Sequence, residues 1–147
     1  MTHVNVLRAA LLAAGMILSG AASAQTATVT LLVSGVESNE GQVYVSLCDR
    51  GLAEDQCLSG RFQSARRGDM TFVFENVPAG VYAIAAYHDV DSNGVMDTNF
   101  IGIPREPYGF SNDVGRRGPP NFVSAQVPVS PPSATINIRL DRFRFGG

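Results

Sequence analysis

The chain has 147 residues, with 11 basic side chains, all arginine, against 13 acidic ones, a formal net charge of −2. Such a balance excludes a basic nucleic-acid binder, and with 45% hydrophobic residues and 15 glycines the composition is that of a folded domain and not of a disordered tail. Apart from one run near the start, no apolar stretch approaches the roughly 18 residues that a spanning helix needs.

That run belongs to a leader. MTHVNVLR carries one arginine and no acid, AALLAAGMILSG is apolar, and Ala22-Ser23-Ala24 fits the small-residue cleavage pattern, so residues 1–24 are expected to be a signal peptide. No cysteine follows the run, since the first is Cys48, and no twin arginine precedes it. Export by the general secretion route is expected, which places residues 25–147 in a periplasm or outside the cell as one domain with no further membrane span. Removing Arg8 with the leader leaves 10 basic against 13 acidic residues, a net of −3.

In an exported chain two cysteines read as a disulfide. Cys48 and Cys57 enclose a short polar loop, DRGLAEDQ, which a bridge would staple. A redox pair would show Cys-x-x-Cys, and a zinc site would need two further soft ligands, of which the mature chain offers only His88.

Strand signals dominate the rest of the chain. ATVTLLVSG alternates Val29, Leu31 and Val33, and QVYVSLC alternates Val43, Val45 and Leu47, so the pair is expected to form a hairpin across ESNEG. MTFVFENV repeats the pattern, Pro78-Ala79-Gly80 turns the chain, and VYAIAAYHD is apolar on both faces, as a central strand should be. FVSAQVPVS and, beyond Pro131-Pro132, ATINIRL with Ile136, Ile138 and Leu140 complete six or seven strands. No helical period is evident. The expected fold is all-β, an antiparallel β-sandwich of immunoglobulin-like or transthyretin-like topology with one long ordered loop, and a barrel is the alternative. The RFRFGG tail shifts the apolar parity after Leu140, which suggests a bulge or a frayed end.

The long loop, residues 88–123, holds the strongest chemical signal. In HDVDSNGVMDTNF, Asp89, Asp91, Asn93 and Asp97 stand at positions 1, 3, 5 and 9 of a calcium-loop pattern, with Gly94 at position 6 and Val95 at position 7, where a carbonyl serves. A hard cation wants six to eight oxygens, and alternate residues of a tight turn aim side chains inward while a glycine takes the positive φ. The pattern then breaks, because position 12 is Phe100 and no helices flank the loop, so this is not an EF-hand. Glu106, Asp113 or a carbonyl must finish the shell of a weak Ca²⁺ site, or else the segment is a polar turn capping its own backbone.

The loop's Ile101, Ile103, Pro104, Tyr108, Phe110 and Phe122 argue for order. Arg105, Tyr108, Phe110, Arg116, Arg117 and Phe122 give it a composition suited to recognising an envelope protein or a glycan, unless the rings fold inward over the sandwich end. No catalytic residues are assigned. Gly-x-Ser-x-Gly is absent and the mature chain has one histidine, so a hydrolase using His88 with the loop carboxylates is the lesser alternative to a non-enzymatic module. Nothing in the pattern fixes the oligomeric state.

The run PAGVYAIAAYHDVDSNGVMDTNFIGIPREPYGFSND, with GPPNF shortly after, resembles the DUF2141 family of exported bacterial proteins, from about Val29 to Leu140. The resemblance implies a single secreted β domain whose hallmark is this loop, and it names no ligand or reaction. The Pro-Ala-Gly-x-Tyr turn is also similar to that of prealbumin-like and carboxypeptidase-regulatory-like sandwiches, where it is structural.

Overall fold

The apolar alternation of the sequence becomes two facing sheets. In the computed structural model, which describes residues 24–116 and 118–144, β1 (Thr26–Val36) buries Val29, Leu31 and Val33 completely while the residues between them stay more open. The expected leader, except for Ala24, lies outside the described residues, as do Arg117 and the last three residues of the tail. The other strands are β2 (Gln42–Cys48), β3 (Cys57–Ser64), β4 (Gly68–Pro78), β5 (Gly80–Asp89), β6 (Tyr108–Phe110), β7 (Val127–Val129) and β8 (Ser133–Arg139), with one short helix, α1 (Phe122–Ala125).

One sheet runs β4-β1-β8 and the other β3-β2-β5-β6, with β7 also on β5. The fold is the expected all-β sandwich. Phe72, Phe74 and Met70 from β4 meet Leu47, Val45 and Ile84 across one hydrophobic cluster. Each such side chain, fully buried, stabilises the fold by about 1.5–3 kcal/mol.

Three sequence expectations need correction. β1 and β2 form no hairpin: β1 pairs with β4 and β8, and residues 37–41 carry the chain over to the other sheet. Alternation reveals which face of a strand is buried, and both strands do face the same core, but it does not reveal which neighbour takes the hydrogen bonds. The sheets are also not wholly antiparallel, because β8 lies parallel to β1. FVSAQVPVS, finally, is not one strand. Asn121 caps the helix Phe122–Ala125 by accepting the Ser124 N–H at 3.1 Å, and only Val127–Val129 is extended.

β3 escapes a pattern search because it has no buried face. It is an edge strand of mostly exposed residues, CLSGRFQS, held to β2 by antiparallel pairing and by the Cys48–Cys57 disulfide, whose Cα atoms are 3.7 Å apart. That bridge fits a compartment outside the reducing cytoplasm. Among the described residues no helix is long and apolar enough to cross a membrane.

β5 is the central strand that its two apolar faces require. β2 pairs along one side of it, and β6 and β7 share the other. Between those two short strands the Ile84 N–H donates to Ser111 Oγ at 2.9 Å, so a side chain satisfies the backbone where neither strand reaches.

The sandwich is partly closed at one corner. Tyr108 and Asp141 exchange two backbone hydrogen bonds of 3.0 Å, joining β6 to the chain just after β8 and so linking the two sheets. Gly109 makes this possible: a Cβ there would clash with the Arg139 carbonyl. Gly109→Ala is therefore expected to cost about 2 kcal/mol by forcing the seam apart, read as a lower urea midpoint with an unchanged slope.

Candidate metal site

β5 delivers the first carboxylate. Opposite β2, His88 pairs with Val43 and Asp89 with Gln42, and the strand's alternation puts Tyr87 and Asp89 on one face and His88 on the core side with Ile84 and Ala86. The chain then turns sharply through Ser92 (φ 60) and Gly94 (φ 80), the latter a left-handed position where glycine alone carries no steric cost. Asp89, fully buried, holds the turn by accepting the Asn93 N–H at Oδ1 (3.1 Å) and the Gly94 N–H at Oδ2 (2.9 Å). Asp91 Oδ1 accepts the Asn93 N–H at 3.1 Å, and Asn93 Oδ1 accepts the Val95 N–H at 2.9 Å.

Glu106 arrives from the returning limb of the loop. The Arg105 N–H donates to the Asp97 carbonyl and the His88 N–H to the Pro107 carbonyl, both at 2.8 Å, so residues 105–107 lie back against the turn and the end of β5. Only 6% exposed, Glu106 accepts the Val90 N–H at Oε1 (2.8 Å) and the Asp97 N–H at Oε2 (3.1 Å). It clamps both ends of the turn.

Asp89, Asp91 and Glu106 thereby each bring an oxygen within 4.8 Å of the others. Among the described residues none of the three joins an ion pair with an arginine. Each pairwise repulsion between unit charges at that distance amounts to about 1 kcal/mol in water and about 3.5 kcal/mol at an effective dielectric near 20. A divalent cation among the three would reverse the sign of that term. All three are hard oxygen donors, with no sulfur or imidazole among them, a set that suits hard cations such as calcium, magnesium or manganese.

Asp97 and Asn93 lie beside the triad: Asn93 Nδ2 donates to Asp97 Oδ1 at 2.9 Å and faces Asp91 Oδ2 at 3.3 Å. Val95 follows in the same turn with its side chain exposed. Asp113, by contrast, is not at the site. β6 runs antiparallel to β5, with Phe110 opposite Ala85, which carries Asp113 away from Asp89 and into an ion pair with Arg116 at 3.2 Å.

His88 does not join the carboxylates either. Its ring is fully buried, with Nε2 donating to the Glu40 carbonyl at 2.7 Å. Tyr108 and Phe110 correct the expectation of a recognition surface. They are 9% and 8% exposed, pack edge to face at 6.0 Å, and Tyr108 donates its hydroxyl to the Gly115 carbonyl. Among the described candidates Arg105 is exposed, its carbonyl accepting from Arg142, while Arg116 and Phe122 are half-buried.

Tyr87 is the neighbour that spacing alone does not flag. Its hydroxyl donates to the Gly94 carbonyl at 3.3 Å, and its ring stacks on Tyr44 at 5.0 Å, which in turn stacks on Phe62 at 5.3 Å. Burial, and then the negative charge of Asp89 with smaller contributions from Tyr44, Glu54 and Glu106, pushes the phenol up to about 12. It therefore stays a donor to the turn throughout the physiological range. Its place two residues before Asp89, on the same strand face, is the signal that would have found it.

Fold and site define an all-β sandwich with an acidic, oxygen-only cluster on the turn that leaves its central strand. The family model for an uncharacterised protein conserved in bacteria, DUF2141, matches residues 31–137, and the chain belongs to that family. No curated protein and no solved structure matches it.

Proposed function

We propose that this protein is an exported, non-enzymatic module of the cell envelope, periplasmic or secreted, that holds a calcium ion in the turn after β5. The observation that carries the reading is the position of Glu106, a buried carboxylate brought to Asp89 and Asp91 from outside the turn. It supplies the closing acid that the local pattern lacks at Phe100. Asp89, Asp91 and Glu106 would hold the ion, with the Asn93 side chain, the Val95 carbonyl and Asp97 within the same turn. Magnesium fits less well, since it demands a tighter octahedron and keeps its waters. An affinity of about 10⁻⁴ to 10⁻³ M, as in extracellular modules, is expected. His88 acts as a buried structural residue.

The test is thermal unfolding with calcium, magnesium or chelator. At a tenfold excess over Kd, binding to the folded state alone adds about 1.4 kcal/mol, so the melting temperature should rise with calcium, rise much less with magnesium, and stay flat in the double variant Asp89→Ala, Asp91→Ala. A melting curve that about 10 mM calcium, roughly tenfold above the weakest expected Kd, leaves in place would overturn the reading.

A further inference from the structure

Beyond the joined corner β3, β4, β7 and β8 are edge strands, and on two of them a side chain takes a backbone carbonyl. Arg61 Nη1 on β3 donates to the Gly60 carbonyl at 2.9 Å, and Gln63 Nε2 reaches across to the Thr71 carbonyl of β4 at 3.0 Å. β8 differs. The Thr28 N–H donates to the Pro132 carbonyl and the Leu140 N–H to the Ser34 carbonyl, and the register between these bonds is unbroken. In a parallel ladder this assigns the backbone of Ala134, Ile136 and Ile138 to β1, and leaves the N–H and C=O groups of Ser133, Thr135 and Asn137 pointing away from it.

Thr135 and Asn137 line a groove of about 610 Å³, which Val127 and Pro128 of β7 and Asn112 and Asp113 line as well. Neither wall residue of the 111–113 turn bonds to β8: Asn112 donates to the Ser124 and Gln126 carbonyls, and Asp113 pairs with Arg116. The remaining charge on the groove is Arg139, which among the described residues is in no ion pair. Along the rest of this edge no charge or proline interrupts the strand, the devices by which sheet proteins ordinarily discourage pairing.

We infer that the β8 edge is a docking site for an extended peptide segment of a partner protein, which adds a strand to β8 in the groove beside β7, where Pro128 offers no N–H, and places a carboxylate on Arg139. Alternating backbone donors and acceptors are complementary to another extended backbone and to little else. The unpaired cation at one end selects an acidic side chain or a chain terminus. Such a strand would continue the seam that Tyr108 and Asp141 already begin at the same corner.

The probe is a synthetic peptide of about six residues, roughly 20 Å when extended, alternating valine and threonine and ending in a free aspartate, titrated into the labelled protein by amide NMR. Shifts centred on Ser133, Thr135 and Asn137 are expected. Thr135→Pro removes an N–H that β1 does not use, and should weaken binding about tenfold or more while leaving the melting temperature near that of the parent. A peptide N-methylated at alternate residues should bind as poorly to the unaltered protein, which keeps the test independent of how the proline variant folds. Amidating the peptide's carboxylates should weaken binding, and Arg139→Gln should remove that difference. Absence of shifts at millimolar peptide, equal binding by the N-methylated peptide, or loss of the β8 amide signals on concentrating the protein alone, which would give the edge to a second copy, would each overturn the inference.

Discussion

Glu106→Ala is expected to lower stability by about 2 kcal/mol in chelator and by about 3–4 kcal/mol in calcium. The substitution strands two backbone donors, the Val90 and Asp97 N–H groups, which Glu106 accepts at 2.8 and 3.1 Å. Each unsatisfied donor costs about 1–3 kcal/mol when buried, and both residues are only part-buried, so water recovers a share. Against that loss stands relief of two pairwise repulsions, with Asp89 and Asp91, of about 1 kcal/mol each where water screens them. In calcium the variant also forfeits the parent's binding contribution, about 1.4 kcal/mol at a tenfold excess over Kd, which widens the gap between the two conditions. Urea unfolding of the variant and parent in both buffers measures the difference. Equal losses would make Glu106 a backbone clamp and nothing more. Glu106→Gln sharpens the comparison, because it keeps the side chain's size and one acceptor oxygen: it should recover part of the stability in chelator and none of the calcium response.

The sequence marks the turn but not its closing ligand, and the reason is distance along the chain. Asp89, Asp91, Asn93 and Gly94 interact with backbone two to five residues away, so their spacing is nearly their geometry. Glu106 reaches the same point only because residues 105–107 fold back on Asp97 and His88, a return fixed by three-dimensional pairing. From sequence, Glu106 and Asp113 are equivalent candidates. What separates them is the direction of β6, three residues long, and a Tyr-Gly-Phe triplet carries no signal of direction or partner. Tyr108 and Phe110 pose a similar problem, since an aromatic ring in a loop reads alike whether it faces a partner or its own sheet. The strands with one buried face are legible throughout, because alternation encodes burial. β3 is not, because an edge strand with both faces open to water needs no apolar set, and β2 with the disulfide holds it in place.

Reduction of the Cys48–Cys57 bridge, the other large effect, is expected to lower stability by about 2.7 kcal/mol, the chain-entropy value for so short a loop. The bridge closes the β2–β3 hairpin at its turn, where Cys48 is fully buried and Cys57 starts the edge strand. β3 has little else to anchor it: its burial is slight, and its contacts beyond the ladder include Arg61 over the Phe74 ring at 5.1 Å and the Gln63 bond to β4. Loosening it should expose the outer edge of β2, which pairs on its other side with the central strand β5. The loss should therefore appear in global unfolding, as a fall of roughly 10 °C in melting temperature, and hydrogen exchange should increase first in β3. Before reductant is added, thiol titration of the unfolded protein should find no free thiol. Once reduced, the chain should retain its calcium response, because Asp89, Asp91 and Glu106 are held by β5 and by the loop's own backbone bonds. Loss of that response on reduction alone would show that the order of the turn depends on the hairpin two strands away, and would move its support from β5 to the whole sheet.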